Sequence, residues 1–97
     1  MTSPSATKYS LVFYAPTDAV PACKTAIFEA GAGQYPGPGG YTNVCWSVKG
    51  NGQFRPGLTA NPTIGTNGAL EELEETRVEI LCVGIDVAKK AVEALKK

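Results

Sequence analysis

Histidine is absent from the 97-residue chain. Its absence excludes His-dependent zinc sites, Ser-His-Asp triads and Cys-His dyads within this polypeptide. An excess of either charge is also lacking: nine basic side chains face nine acidic ones, for a formal net charge of zero. A neutral surface has no electrostatic pull toward nucleic acid or an anionic membrane, so neither is expected as a partner. Long apolar runs are missing too. The longest near the N-terminus, Leu11 to Ala15, falls far short of the ~20 residues a spanning helix needs. The polar start, Met1 to Lys8, lacks the apolar stretch of a secretory signal. These absences predict a soluble, cytoplasmic protein. Cys23, Cys45 and Cys82 are odd in number, widely spaced and without a CxxC pair, so a disulfide scaffold is not expected. They read as small buried hydrophobes, with a redox or soft-metal role for a pair of them as the other reading.

What remains suits one globular domain. With 43% hydrophobic and 19% charged residues the chain is not disordered, and at this length it forms a single core burying roughly 60–70% of its surface. Residues 9–97 are expected to be that domain, after a flexible segment 1–8.

Lys8 to Ala15 (KYSLVFYA) is dense in aromatic and β-branched residues and stops at Pro16, which predicts a strand. Leu11, Phe13 and Ala15 fall on one side, Ser10, Val12 and Tyr14 on the other. Apolar groups on both sides predict a central strand. Thr17-Asp18 offers an N-cap and Pro21 falls in a first turn. Val20, Cys23, Ile27 and Ala30 then follow helical spacing up to Gly31, a C-cap glycine. The predicted helix runs over about 19–30. A loop, GAGQYPGPGG, spans Gly31 to Gly40.

Thr42 to Lys49 alternates, with Val44, Trp46 and Val48 on one face, so it reads as a half-buried strand with Trp46 in the core. From Gly50 to Gly68 glycine, proline and asparagine dominate. A loop that long inside a small domain is usually functional. Leu70 to Val83 fits helix by its Glu and Leu content and strand by the alternation of Val78, Ile80 and Cys82. Asp86 is read as the N-cap of a last helix, in which Ala88, Ala91, Val92 and Leu95 share a face and Lys89/Glu93 and Glu93/Lys97 pair on the wet side. The order is an α+β, ferredoxin-like βαββα(β) sandwich, with two helices on one face of an antiparallel sheet and the final strand missing.

Three segments carry a family resemblance: KYSLVFYAP, IFEAGAGQY, and the block from Cys45 to Leu81. Its most specific elements are GNGQFRP (Gly50 to Pro56), NPTIG (Asn61 to Gly65) and ETRVE (Glu75 to Glu79). Over about Tyr9 to Lys97 the chain resembles the CutA-like domain of the YqfO-type family, the NGG-interacting-factor-three proteins. The resemblance implies that Leu70 to Val83 is a strand paired with the Thr42 strand. It also implies a CutA- and PII-like fold whose members assemble as trimers through edge strands. In that family two metal ions are held by histidines and carboxylates of a surrounding domain, none of which is present in this sequence. Members also continue into a HPYE-like segment and a closing strand. Without that strand the sheet has a bare edge, which water, a neighbouring subunit or another chain must satisfy.

The Gly50–Gly68 loop is the one candidate ligand site. Gly50 and Gly52 allow close approach of backbone N–H groups to an anion, Arg55 adds a planar fork, and Gln53 donates or accepts beside it. Phe54, like Trp46, offers a ring for stacking. In the competing reading the glycines serve tight turns and Arg55 pairs with an acid from Glu71 to Glu79. Glu71, Glu72, Glu74, Glu75 and Glu79 are read as mostly solvated, with a divalent-ion or catalytic-pair role as the lesser alternative because no histidine accompanies them. A thiolate metal site at Cys45 and Cys82, on paired strands, is the alternative to their simple packing. No GK[ST] follows the glycines, so a phosphate-binding nucleotide loop is not indicated. The leading expectation is a non-enzymatic PII/CutA-like small-ligand-binding or oligomerisation module, trimeric, taking a small anionic ligand and no cofactor. The alternatives are a metal-dependent hydrolase or cyclohydrolase, as in full-length family members, and a docking domain that accepts a partner's strand at its open edge.

Overall fold

The computed structural model describes residues 7–62 and 64–96. The expected flexibility of the N-terminal segment therefore lies outside the described residues, apart from Thr7 and Lys8. The elements run β1 (Lys8–Pro16), α1 (Val20–Glu29), β2 (Trp46–Phe54), β3 (Glu71–Val83) and α2 (Ile85–Leu95). The sheet is antiparallel throughout, in the order β1-β3-β2. Both helices pack on one face of it, α1 through Ile27 and α2 through Ala91, against Ile80 and Cys82 of β3 and Leu11 and Phe13 of β1. No helix among the described residues is long and apolar enough to cross a membrane.

β3 is a strand, as the resemblance implied, and it occupies the centre. Its thirteen residues pair with β1 from Glu75 to Val83 and with β2 from Glu71 to Glu79. The expectation of a central β1 is thus corrected for the described residues, among which β3 is central and β1 has one neighbour. Its second apolar set, Val12 and Tyr14, is exposed because no layer covers the outer face of the sheet among the described residues.

Local chemistry accounts for the helix boundaries. Thr17 and Asp18 form a 3-10 turn ahead of α1 and do not cap it. Thr17 instead meets Thr76 hydroxyl to hydroxyl at 3.1 Å, which satisfies Thr76, the buried polar residue of β3. Pro21 sits in the first turn of α1. Gly31 ends the helix at φ +102°, with its N–H donating to Phe28 and the Ala32 N–H to Ile27. That is the paired bonding of a Schellman cap. At α2 the N-cap is Gly84, and Asp86 lies inside the first turn with no capping bond. A carboxylate there still favours the positive end of the helix dipole. The expected Glu93/Lys97 pair lies outside the described residues, while Lys96 approaches Glu93 at 3.7 Å. Lys89/Glu93 does not form an ion pair.

Beyond Glu75, β3 is paired with β2 alone. The two strands leave the core as a ribbon, and the molecule measures 52 × 23 × 19 Å with a radius of gyration of 16.2 Å. A compact chain of 100 residues has about 13 Å.

Cys82 is fully buried, whereas Cys23 and Cys45 are half-buried, and all three are free thiols. Desolvation raises the Cys82 thiol pKa. The folded thiol then ionises at higher pH than the unfolded one. Stability is therefore intact below the ordinary thiol range near pH ~8.5 and declines as pH rises through the raised folded value. Urea midpoints at neutral and alkaline pH should show this decline, with a shallower slope in Cys82→Ala. Equal slopes in the two proteins would remove the assignment.

Candidate functional site

The expected site does not form as a single loop. β2 begins at Trp46 and continues to Phe54, so Gly50, Gly52, Gln53 and Phe54 are strand residues and only Arg55 lies beyond. The strand persists through Gly50-Asn51-Gly52 because β3 supplies a full partner, opposite Glu75, Glu74 and Leu73. Gly52 relieves crowding, since a Cβ there would collide with the Glu75 side chain, whereas Gly50 faces open space. At ~3.3 Å per residue, Gly50 and Phe54 are about 13 Å apart, and Gln53 points to the opposite face from both. The five residues are therefore spread along β2 and its end, on both faces of the strand.

The hairpin tip that follows is tied down. Asn67 donates from Nδ2 to the carbonyls of Leu58 (3.0 Å) and Ala60 (2.9 Å), and the Gly68 N–H donates to Pro56 at 2.6 Å. Pro56 is buried within it. Arg55 is exposed and takes part in neither ion pair found among the described residues. The expected pairing of Arg55 with a glutamate of β3 does not occur.

The face reading of the Thr42 strand is also reversed. Cys45 packs on the core, while Trp46 is 57% exposed and Val48 is exposed with it. Trp46 is not a core residue. The strand meets β3 with Trp46 opposite Glu79 and Val48 opposite Arg77, and this register puts even-numbered β2 residues on the uncovered face. Cys45 precedes β2 and Cys82 pairs across to Tyr9, so the two thiols are not cross-strand partners. No group of three or more Cys, Asp or Glu able to hold a metal ion occurs among the described residues.

What the fold does assemble is a patch on the outer face of the sheet. Tyr14, Arg77 and Val48 stand side by side on three strands, and Val12, Glu79 and Trp46 form the next row. The Arg77 guanidinium is held protonated beyond its ordinary range by the acceptor oxygens beside it, first the Tyr14 hydroxyl and then the Glu79 carboxylate. Arg77 Nη1 reaches Glu79 Oε1 at 3.3 Å, and Ser10 Oγ donates to Glu79 Oε2 at 3.2 Å. A shallow hollow of about 200 Å³ lies between Tyr14, Val48, Gly50, Glu75 and Arg77. A second, of about 430 Å³, lies where β2 begins, lined by Ser10, Tyr35, Val44, Trp46 and Glu79. Basic and acidic groups nearly balance here, and the aromatic rings are exposed. Such a surface suits a polar-apolar contact better than capture of a free anion. Of the expected ligand contacts only Gly50 borders this patch. Tyr14 and Arg77 were missed because their proximity depends on strand register, and the only sequence signal for Arg77 was its place within ETRVE.

Comparison with known proteins adds a relationship. No family model matches the chain. It is 46% identical over 70 residues to a GTP cyclohydrolase 1 type 2 homolog of Mycobacterium leprae, covering 72% of this chain and 17% of that protein. For the Mycobacterium tuberculosis homolog the figures are 43% over 70 residues, 72% and 18%. For that of Halalkalibacterium halodurans they are 37% over 73 residues, 75% and 19%. The chain thus spans less than a fifth of the length of these relatives. A crystal structure of a Bacillus cereus protein related to NIF3 superposes with a TM-score of 0.73 at 23% identity, over 98% of this chain and 23% of that one. Its similarity therefore supports a relationship to one segment of the YqfO-type, NIF3-related proteins, and carries nothing specific to CutA or PII.

Proposed function

We propose that this chain is an assembly and binding domain of the kind carried by GTP cyclohydrolase 1 type 2 homologs, and that its own residues do not perform catalysis. The carrying observation is the uncovered sheet: aromatic and aliphatic side chains at Val12, Tyr14, Trp46 and Val48 stand exposed around a central Arg77–Glu79 pair. Apolar patches of this kind mark interaction surfaces. In this reading the five elements are the start of a ferredoxin-like βαββα(β) sandwich of the CutA/PII type. The small anionic ligand of the loop reading, with Gly50, Gly52, Gln53, Phe54 and Arg55 as its contacts, is secondary to this surface. Light scattering at micromolar concentrations should give a mass well above the 10.1 kDa of one chain. A strict monomer would remove the assembly reading. The trimer implied by the CutA resemblance is a separate matter from whether the domain assembles at all.

A second reading, a cyclohydrolase-related protein, has more direct support in the names of the relatives. GTP turnover by the purified chain with added divalent metal would establish it. The absence of histidine and of a three-ligand cluster among the described residues predicts no turnover above background.

A further inference from the structure

We infer that the hollow where β2 begins binds an alkylated ammonium group, the head of an organic cation, between Tyr35, Trp46 and Glu79. The inference goes beyond the assembly reading, and because every wall of the hollow comes from one chain, the two fail separately. Sheet and loop build the hollow together. The register sets Trp46 opposite Glu79 and Ser10 opposite Leu81. Pairing of β2 with β3 stops there, and the chain ahead of β2 is tied to β3 in another way. The Gly33 N–H donates to the Leu81 carbonyl at 2.8 Å, and the Val44 N–H donates to the Gly33 carbonyl at 3.0 Å. Between these anchors the Tyr35 N–H donates to the Tyr41 carbonyl at 2.9 Å, which closes the loop. Tyr35 is thereby fixed at the wall of the hollow.

The charge of the lining selects a cation. Glu79 is the carboxylate of the hollow, and no lysine or arginine is among its described lining residues. Arg77 engages Glu79 Oε1 at 3.3 Å, while Oε2 accepts from the Ser10 hydroxyl at 3.2 Å. A carboxylate oxygen has about two acceptor sites, so Oε2 keeps one. Lys8 and Arg77 stand on the same face of the sheet to either side and do not line the hollow. The Arg77–Glu79 pair is a partly exposed one, with side chains 34% and 45% accessible. Such pairs are weak, which leaves the carboxylate able to serve a second cation.

The rest of the lining selects an alkylated one. Tyr35 and Trp46 are 48% and 57% exposed, so both rings are open to a ligand. Aromatic faces attract a cation within about 6 Å of the ring centroid, tryptophan most strongly. Val44, Cys45 and Ile80 add apolar surface. A bare ammonium is strongly hydrated, and this lining offers it few oxygens in exchange for water. Methyl groups on the nitrogen weaken that hydration and gain from burial against the rings and aliphatic walls. A metal ion finds no group of three ligands among the described residues. The volume of about 430 Å³ lies within the roughly 300–1,000 Å³ of small-molecule sites.

Trp46 is the only tryptophan of the chain, so its fluorescence reports this hollow alone. Tetramethylammonium chloride, exchanged for sodium chloride at constant ionic strength, should change the emission saturably, with its midpoint in the millimolar range. Tert-butanol, a neutral molecule of similar shape, should give no saturable change. Glu79→Gln removes the charge and Tyr35→Leu removes only a ring. Both positions lie outside the buried core, so the variants should fold, as circular dichroism will verify, and each should weaken binding about fivefold or more. A short peptide bearing trimethyllysine distinguishes the sources of the head. Tighter binding than tetramethylammonium assigns it to a modified protein, equal or weaker binding assigns it to a free cation, and either result supports the site. A linear response to tetramethylammonium, an equal response to tert-butanol, or unchanged affinity in either variant overturns the inference, whatever light scattering shows of assembly.

Discussion

Replacing Gly33 by alanine should cost the fold about 3 kcal/mol, a large share of the ~5–15 kcal/mol that holds a domain of this kind together. Gly33 adopts φ +77°. Its backbone bridges two parts of the molecule, donating to Leu81 at 2.8 Å and accepting from Val44 at 3.0 Å. A Cβ would stand 2.8 Å from the Val44 carbonyl oxygen, 3.0 Å from Phe28 and 3.1 Å from Ile80. The left-handed backbone costs an alanine roughly 1–2 kcal/mol, and overpacking a tight site adds about 1–3. The nearest obstacle is backbone and cannot rotate away. At ~4–8 °C per kcal/mol for a domain of this size, the melting temperature should drop by more than ~10 °C. Gly52→Ala is the control: the atoms it would strike belong to the end of the Glu75 side chain, which can swing aside. Its expected loss is below about 1 kcal/mol, and equal losses at the two sites would refute the distinction.

Ile80→Ala should destabilise by about 2–5 kcal/mol, the range for truncating a large side chain with no room to collapse. Ile80 is almost wholly buried at the meeting point of both helices and the loop that carries Gly33. Trp46→Ala, on the opposite face one residue before its row on β3, should stay within about 0.5 kcal/mol, as surface changes do, because the indole is exposed. Denaturant midpoints for the two variants decide the matter. A large loss at Trp46 in a protein shown to be monomeric would mean that the ring is packed after all. Ile80→Val should also soften the Gly33→Ala defect, since it removes the Cδ1 that the new methyl meets. A double-mutant cycle would measure that coupling.

Much of the architecture was legible in local patterns. The Pro21 start, the Gly31 stop and the spacing of Val20, Cys23 and Ile27 located α1 within a residue or two, because helix ends are set by nearby groups. The alternation of Val78, Ile80 and Cys82 marked the core face of β3, although propensity left its first half open until the family resemblance supplied the partner strand. The failures share one cause. Gly50-Asn51-Gly52 has the composition of a turn, and only pairing with a strand more than twenty residues away keeps it extended. Trp46 has the character of a core residue, and only the register with Glu79 turns it outward. Arg77 and Tyr14 are far apart in the chain and meet through that same register. The family relationship was legible in GNGQFRP and ETRVE, but the position of a contact patch was not, because it lies across three strands and not along one.

The ribbon formed by β2 and β3 bears on how this protein must be measured. A particle more than twice as long as it is wide tumbles and diffuses more slowly than a sphere of equal mass. A monomer will therefore leave a sizing column early, at a volume that calibration with round standards assigns to something larger. Elution position alone would report self-association where none exists, and partial assembly could shift it little. Mass must come from scattered light or sedimentation equilibrium, neither of which depends on shape.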